Sequence, residues 1–180
     1  AEEIIKNYAN SKKINFCNLR YFNVAGADED LQTGENHRPE THLIPLLIEA
    51  IIKKKRFNLY GNNYDTRDGT CIRDFIHVED LANAHILALK MIFKKKINNA
   101  INVGSGSGYS VKEIISETEN QLKLKAKIKI QKRRDGDIKK LISCIKLAEK
   151  KINWRPQKKI EDIISSSIKY YLKLNNIKNF

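Results

Sequence analysis

A chain of 180 residues with 41% hydrophobic and 31% charged residues has the make-up of an ordinary globular protein, at a length one domain can account for. Its longest apolar stretch, Leu43–Ile52, is broken by Pro45 and Glu49 and is too short to span a bilayer, and no basic-then-apolar leader precedes it, so neither a membrane nor a secreted setting is expected. The net charge of +13 raises nucleic acid as a partner, but there is no recognition-helix motif and no aromatic RNA platform, and heavy use of Lys, Ile and Asn is what an AT-biased coding sequence produces.

In chain order, Ala1–Tyr8 reads as the tail of a helix and Asn15–Tyr21 as a strand. A polar loop rich in Gly, Asn and Asp follows over Gly26–Pro39. Ile44–Arg56 is predicted helical, with Pro45 in its first turn. Phe57–Tyr60 is a short strand stopped by Gly61-Asn62-Asn63. Asp68-Gly69 marks a tight turn, and Cys71–Val78 is one strand-like run. Val78–Phe93 is a helix whose Leu81, Ala84, Ile86, Leu87, Leu89 and Met91 make a broad apolar face. Ala100–Val103 is a strand, and Ser110-Val111-Lys112-Glu113 is a capping box opening a helix to Leu122. Ala126–Gln131 alternates like a half-buried strand with a basic outer face, and Ser143–Lys150 and Ile160–Leu174 are helices. Alternating strands and helices make the chain α/β. The lysines of Lys53-Lys54-Lys55 and Lys94-Lys95-Lys96 are placed in helix tails, where the dipole favours cations.

Cys17, Cys71 and Cys144 are odd in number and lack metal spacing, which fits reduced cytosolic thiols. The four histidines show no ligand spacing either, so no metal is expected. An arginine at a strand end beside a turn, as Arg73 is, suits a bidentate grip on phosphate or carboxylate. A structural Arg–Asp pair is the equal alternative at this level. Gly104-Ser105-Gly106-Ser107-Gly108 is a strand–turn–helix junction able to bind an anion, but a dinucleotide fingerprint needs a third glycine where Tyr109 stands and an acid near Leu124. A structural turn is the favoured role.

The wording of Tyr64–Val78, YDTRDGTCIRDFIHV, closely resembles the signature of UDP-glucose (UDP-galactose) 4-epimerases, extended members of the short-chain dehydrogenase/reductase superfamily. Arg20-Tyr21-Phe22-Asn23-Val24-Ala25-Gly26, Glu40-Thr41-His42-Leu43-Ile44-Pro45, Leu59-Tyr60-Gly61, Asn102-Val103-Gly104-Ser105-Gly106, Arg133-Arg134-Asp135-Gly136-Asp137 and Ile152-Asn153-Trp154 match in the family's order. The likeness runs through essentially the whole chain. The family's chains are much longer, and their first half carries the dinucleotide fingerprint and a catalytic Tyr-x-x-x-Lys. The resemblance therefore implies a C-terminal part: an α/β half of an NAD-binding Rossmann-type epimerase, inactive by itself and with its NAD site mostly absent. Tyr8-Ala9-Asn10-Ser11-Lys12 fits Tyr-x-x-x-Lys, but it lies too close to Arg20 and reads as a solvated helix end. No catalytic residue is assigned.

The implied division gives residues 1–25 and 76–104 to the dinucleotide-binding domain, and residues 26–75 and 105–180 to the substrate domain. Two sheet strands would then be orphaned, with Phe16, Leu19, Ile101 and Val103 bare. The implied reaction inverts C4 of a UDP-hexose, interconverting UDP-glucose and UDP-galactose through a 4-keto intermediate with bound NAD. In the family, Tyr21 sits beside the nicotinamide. Asn23 meets the diphosphate, and Leu43 offers a helix N-terminal N–H to a phosphate, with His42 beside it. Asn58 and Tyr60 flank the strand that pairs uracil. Arg73 and Arg134 clamp the diphosphate, and Asp137 accepts ribose hydroxyls. The plain alternatives are a core tyrosine, a turn asparagine, an edge strand, ion pairs and a helix cap. Leu141 borders the sugar pocket. A homodimer in the cytoplasm is implied for the complete enzyme, with no nucleic-acid or membrane partner. A neighbouring sugar-nucleotide epimerase or dehydratase, and a non-catalytic relic that binds sugar nucleotides, are the rival readings.

Overall fold

The structure, a computed structural model, describes residues 1–94 and 97–177. Lys95 and Lys96, expected in a helix tail, lie outside the described residues. Two apolar cores organise the chain. In the first, strand β1 (Phe16–Tyr21) pairs in parallel with β6 (Asn98–Val103), setting Leu19 opposite Ile101 and Tyr21 opposite Val103. Helix α3 (Val78–Phe93) and helix α5 (Lys146–Ile152) pack on this pair, burying Leu81, Ala84, Ile101, Ala148 and Trp154 together. The Trp154 indole N–H donates to the Asp80 carbonyl at 3.0 Å, while the Asp80 carboxylate accepts from the Gln157 and Lys158 amides at 3.0 and 2.9 Å. The expectation of bare strand faces is therefore corrected at Ile101 and Val103, which are 1% and 0% exposed because α3 and α5 cover β6.

The second core joins α2 (Leu43–Ile52), α4 (Val111–Leu122) and α6 (Ile160–Leu174) around Leu47, Ile48, Ile114 and Ile164. Strand β3 (Arg56–Tyr60) inserts Phe57 and Leu59 while Asn58 and Tyr60 face outward, the alternation that a two-residue period imposes. It pairs in parallel with β8 (Lys127–Gln131). Between the cores lies the short parallel pair β2 (Asn23–Ala25) and β5 (Phe75–His77). Successive side chains of a strand point to opposite faces, so Phe75 enters one core and its neighbour Ile76 the other. Ile145, Ala148, Ile152 and Trp154 pack with residues of α3 and β6.

Some boundaries differ from expectation for local reasons. The predicted strand Cys71–Val78 divides at Asp74 into β4 (Ile72–Arg73) and β5. Strand β4 sits between β7 (Tyr109–Ser110), antiparallel, and β9 (Lys140–Leu141), parallel. Helix α1 (Glu2–Lys12) runs past Asn10 and Ser11, with Ser11 Oγ donating to the Tyr8 carbonyl at 2.9 Å, and it stops at Lys13 in the left-handed region. Helix α2 ends at Ile52, so Lys54, with φ 54°, lies beyond the helix. The capping box at Ser110 is present, with Glu113 N–H donating to Ser110 Oγ at 3.1 Å and Ser110 N–H donating to the Glu113 carboxylate at 2.8 Å. Thr70 N–H donates to Asp68 Oδ1 at 2.8 Å and Gly69 takes φ 83°, the turn that Asp68-Gly69 requires. No described helix is long and apolar enough to cross a membrane.

His77, the N-cap of α3, is buried. Its Nδ1 accepts from Glu79 N–H at 3.2 Å, and its Nε2 lies 3.1 Å from Ser166 Oγ. Burial holds its pKa below the usual 6.5. Below that value the unfolded chain takes up a proton that the native ring refuses, so stability is full above 6.5 and falls with pH toward the folded pKa. We expect the melting temperature to drop between about pH 7 and pH 5.5, with a shallower slope in His77→Gln. Identical slopes in the two chains would dismiss this role.

Candidate functional site

One cavity of about 660 Å³ opens where the first turn of α2, strands β2 and β3, and the loops before α2 and after β8 meet. Asn23, His42, Leu43, Asn58, Tyr60, Arg73, Arg134 and Asp137 all line it. These eight expected substrate residues are thus brought together from segments as far apart as Asn23 and Asp137. Tyr21 is not among the lining residues. It is 54% exposed at the end of β1, its ring 5.8 Å from that of His85. The pair Tyr8 and Lys12 lies on exposed positions of α1. Leu141, in β9, is 44% exposed and outside the lining as well.

The local chemistry explains how each side chain is held. The first-turn amides of α2 have no intrahelical acceptor, and Pro45 removes one of them, so Leu43 and Ile44 present their N–H groups toward the cavity end of the helix. Asn23 Nδ2 donates to the Asp74 carbonyl at 2.7 Å, which fixes its amide at the wall. The Arg73 guanidinium donates to the Ile138 carbonyl at 2.6 Å and meets Asp137 at 3.3 Å. Asp137 thus faces an arginine, with its side chain 28% exposed. Arg134 lies over the Tyr60 ring, 3.9 Å from its centroid. Asn58 Oδ1 accepts from Gln131 Nε2 at 3.0 Å across the β3–β8 pair.

Several contributors were not legible in the sequence. Asp74, fully buried, aims its carboxylate into the Gly104–Gly108 turn. Oδ1 accepts from Ser105 N–H at 2.7 Å and Ser105 Oγ at 2.5 Å, while Oδ2 accepts from Gly106 N–H at 3.1 Å and from Ser143 N–H and Oγ at 3.0 and 2.5 Å. An internal carboxylate occupies the donors that could have met an anion, so this turn is structural and does not suit a dinucleotide phosphate. A side chain at Gly104 would meet Asp74 Oδ2 at 2.7 Å, which is why glycine stands there. Glu35 and His37 also line the cavity, from a loop read only as polar. Burial pushes the Glu35 carboxyl up. Burial pushes Glu40 the same way, but amide N–H bonds from His42 and Thr41 outweigh it and hold that carboxyl low.

A model of the NAD dependent epimerase/dehydratase family matches residues 1–104. The UDP-glucose 4-epimerase of Rhizobium meliloti is 39% identical over 97% of this chain and 53% of its own length. A crystal structure of the Stenotrophomonas maltophila UDP-glucose-4-epimerase, with bound NAD and formylated UDP-arabinopyranose, superposes with a TM-score of 0.93 at 29% identity, over 98% of this chain and 54% of that one. The UDP-glucose 4-epimerase of Brucella ovis in complex with NAD gives 0.88 at 37% identity, over 94% and 53%. The chain thus spans about half the length of the curated relatives it matches, 53% and 54% for the first two.

These findings correct several expectations. The reading as a C-terminal part, with only two strands and a helix from the dinucleotide-binding sheet, is not upheld. Residues 1–104 match the family model as one continuous stretch, and the relatives' architecture is followed over 98% of the chain. The descriptions drawn from that reading also fall: an inactive fragment, a lacking catalytic pair and fingerprint, an NAD site mostly absent. Likeness to relatives that hold NAD runs through nearly all of the chain, and where the given sequence starts decides nothing about activity. A family match over more than half the residues, on a fold shared nearly end to end, establishes that the chain belongs to the NAD dependent epimerase/dehydratase family.

Proposed function

We propose that the cavity holds the UDP portion of a UDP-hexose, and that the activity it serves is the interconversion of UDP-glucose and UDP-galactose with NAD as cofactor. The observation that carries the reading is the meeting of Arg73, Arg134 and the N-terminus of α2 at one cavity of about 660 Å³. Two guanidiniums and a set of unpaired helix amides are a matched environment for a diphosphate. Tyr60 and Asn58 supply an aromatic face and a strand edge for the base. Asn23 retains one Nδ2–H to donate to the diphosphate, and Asp137 offers a carboxylate to ribose hydroxyls. His42 contributes as the residue that precedes Leu43 at the helix start. The 4-epimerase names of the relatives support the choice of sugar nucleotide.

Calorimetric titration of UDP, with ADP as comparison, tests the reading. We expect one saturable UDP site, with UDP-glucose and UDP-galactose bound about equally because the gripped part is common to both. A parallel incubation with NAD and UDP-galactose, followed by chromatography, tests the reaction. Binding without turnover would confine the proposal to UDP-sugar recognition, and absence of UDP binding would remove it. The same reading extends to a homodimer, to be tested by sedimentation. It also extends to a cytoplasmic setting, which the free thiols of Cys17, Cys71 and Cys144 support.

A further inference from the structure

We propose that the loop at the rim of the cavity is a site for a divalent transition-metal ion, with Glu35, His37, Glu40 and His42 as its ligands. Each residue offers one donor atom, and the four atoms lie within 4.8 Å of one another. Glu35 Oε1 is 2.5 Å from His42 Nδ1 and 3.3 Å from His37 Nδ1, and Glu40 Oε1 is 3.0 Å from His42 Nδ1. The two imidazoles are neighbours, with centroids 4.9 Å apart. The carboxylates are sheltered, their side chains 17% and 16% exposed, whereas the imidazoles stand at 59% and 54% on the rim. The cluster therefore has an acidic floor and an open imidazole mouth through which an ion can enter.

The donor set selects the ion. Two imidazole nitrogens and two carboxylate oxygens suit zinc and its neighbours, while magnesium and calcium prefer oxygen alone. Tetrahedral zinc holds such ligands at about 2.0–2.2 Å, which sets them roughly 3.4 Å from each other. Three of the pairwise separations are already at or below that figure, so closure asks only for rotation of side chains on an eight-residue loop. Two carboxylates held beside each other repel, and a dication between them removes the repulsion. Glu40 Oε1 already caps the Thr41 and His42 amides at 2.7 and 2.8 Å, so the loop is ordered around this residue before any ion arrives. Because His42 is the N-cap of α2, an ion held by it ties the loop to the helix end that borders the cavity. The site does not depend on the UDP reading.

The test uses the untagged chain. Zn²⁺ titration should show one equivalent bound, and Co²⁺ should give the visible absorption of a tetrahedral site. His37→Ala/His42→Ala together, and Glu35→Gln alone, should each weaken Zn²⁺ binding at least tenfold and abolish the Co²⁺ bands. Histidine ring NMR on the unsubstituted chain covers the case of a poorly folding variant: His37 and His42 should shift with Zn²⁺ while His77 and His85 stay in place. Absence of binding, binding unchanged in folded variants, or shifts at His85 or His77 in place of the loop pair would each overturn the proposal.

Discussion

Replacing Asp74 with alanine should destabilise the fold by about 3 kcal/mol or more, the scale for stranding several buried donors at once. The carboxylate is fully buried and receives five hydrogen bonds from Ser105, Gly106 and Ser143. Alanine leaves the Ser105 and Ser143 amides and the Ser143 hydroxyl without their acceptor, while Gly106 N–H keeps Ser143 Oγ at 3.2 Å and Ser105 Oγ keeps the Ser107 carbonyl at 3.0 Å. Asp74→Asn should lose less, because one oxygen remains, yet it should not match the native chain, since its NH₂ would face other N–H donors. The damage should reach the cavity too. The Asp74 main chain holds Asn23 through its carbonyl, and Arg73 is its neighbour in sequence. Urea unfolding followed by circular dichroism measures the first effect, and UDP titration of the folded fraction the second. A midpoint equal to that of the native chain in Asp74→Ala would sink the claim that this carboxylate fastens the three segments.

Arg73→Ala and Arg134→Ala should each weaken UDP binding by about 2–4 kcal/mol, the range for truncating one partner of a desolvated charged contact. Their stability effects should differ, and the geometry says how. Arg73 is mostly buried and bonded to the Ile138 carbonyl and Asp137, so its loss should also lower the melting temperature. Arg134 rests on the exposed face of Tyr60, so its removal should leave stability within about 0.5 kcal/mol of the native value. Lysine at either position should restore only part of the affinity, because an ammonium cannot make a two-pronged contact. Asp137→Asn should cost less than either arginine, since it keeps an acceptor for a ribose hydroxyl. If both arginine variants bind UDP as the native chain does, while Arg73→Ala alone melts earlier, these side chains are structural and the clamp is wrong.

Much of this protein was determined locally and so could be read from its sequence. The helix Val78–Phe93, the capping box at Ser110 and the Asp68-Gly69 turn depend on residues within a turn or two of each other, and each stands where its pattern puts it, although Ile86 and Leu89 of the expected apolar face are exposed. Most of the motifs that carry the family likeness, though not Asn102–Gly106 or Ile152–Trp154, lie in segments that converge on one cavity, although no periodicity in the sequence announces that meeting. What the tertiary structure alone decided is which loops touch. Strands of two or three residues, such as β4, β7 and β9, are too short for any period to mark them, and they exist only because neighbours complete their ladders. Asp74 finds Ser105 and Ser143 across 31 and 69 positions, and Arg73 finds Asp137 across 64. The Gly104–Gly108 turn has the sequence of an anion cradle, but a buried carboxylate fills it. His37 and His42 look unrelated in the chain, yet the bend before α2 sets them over two glutamates. Hydrophobic spacing and caps are fixed by near neighbours, whereas a buried polar network is satisfied only once distant segments have been packed together.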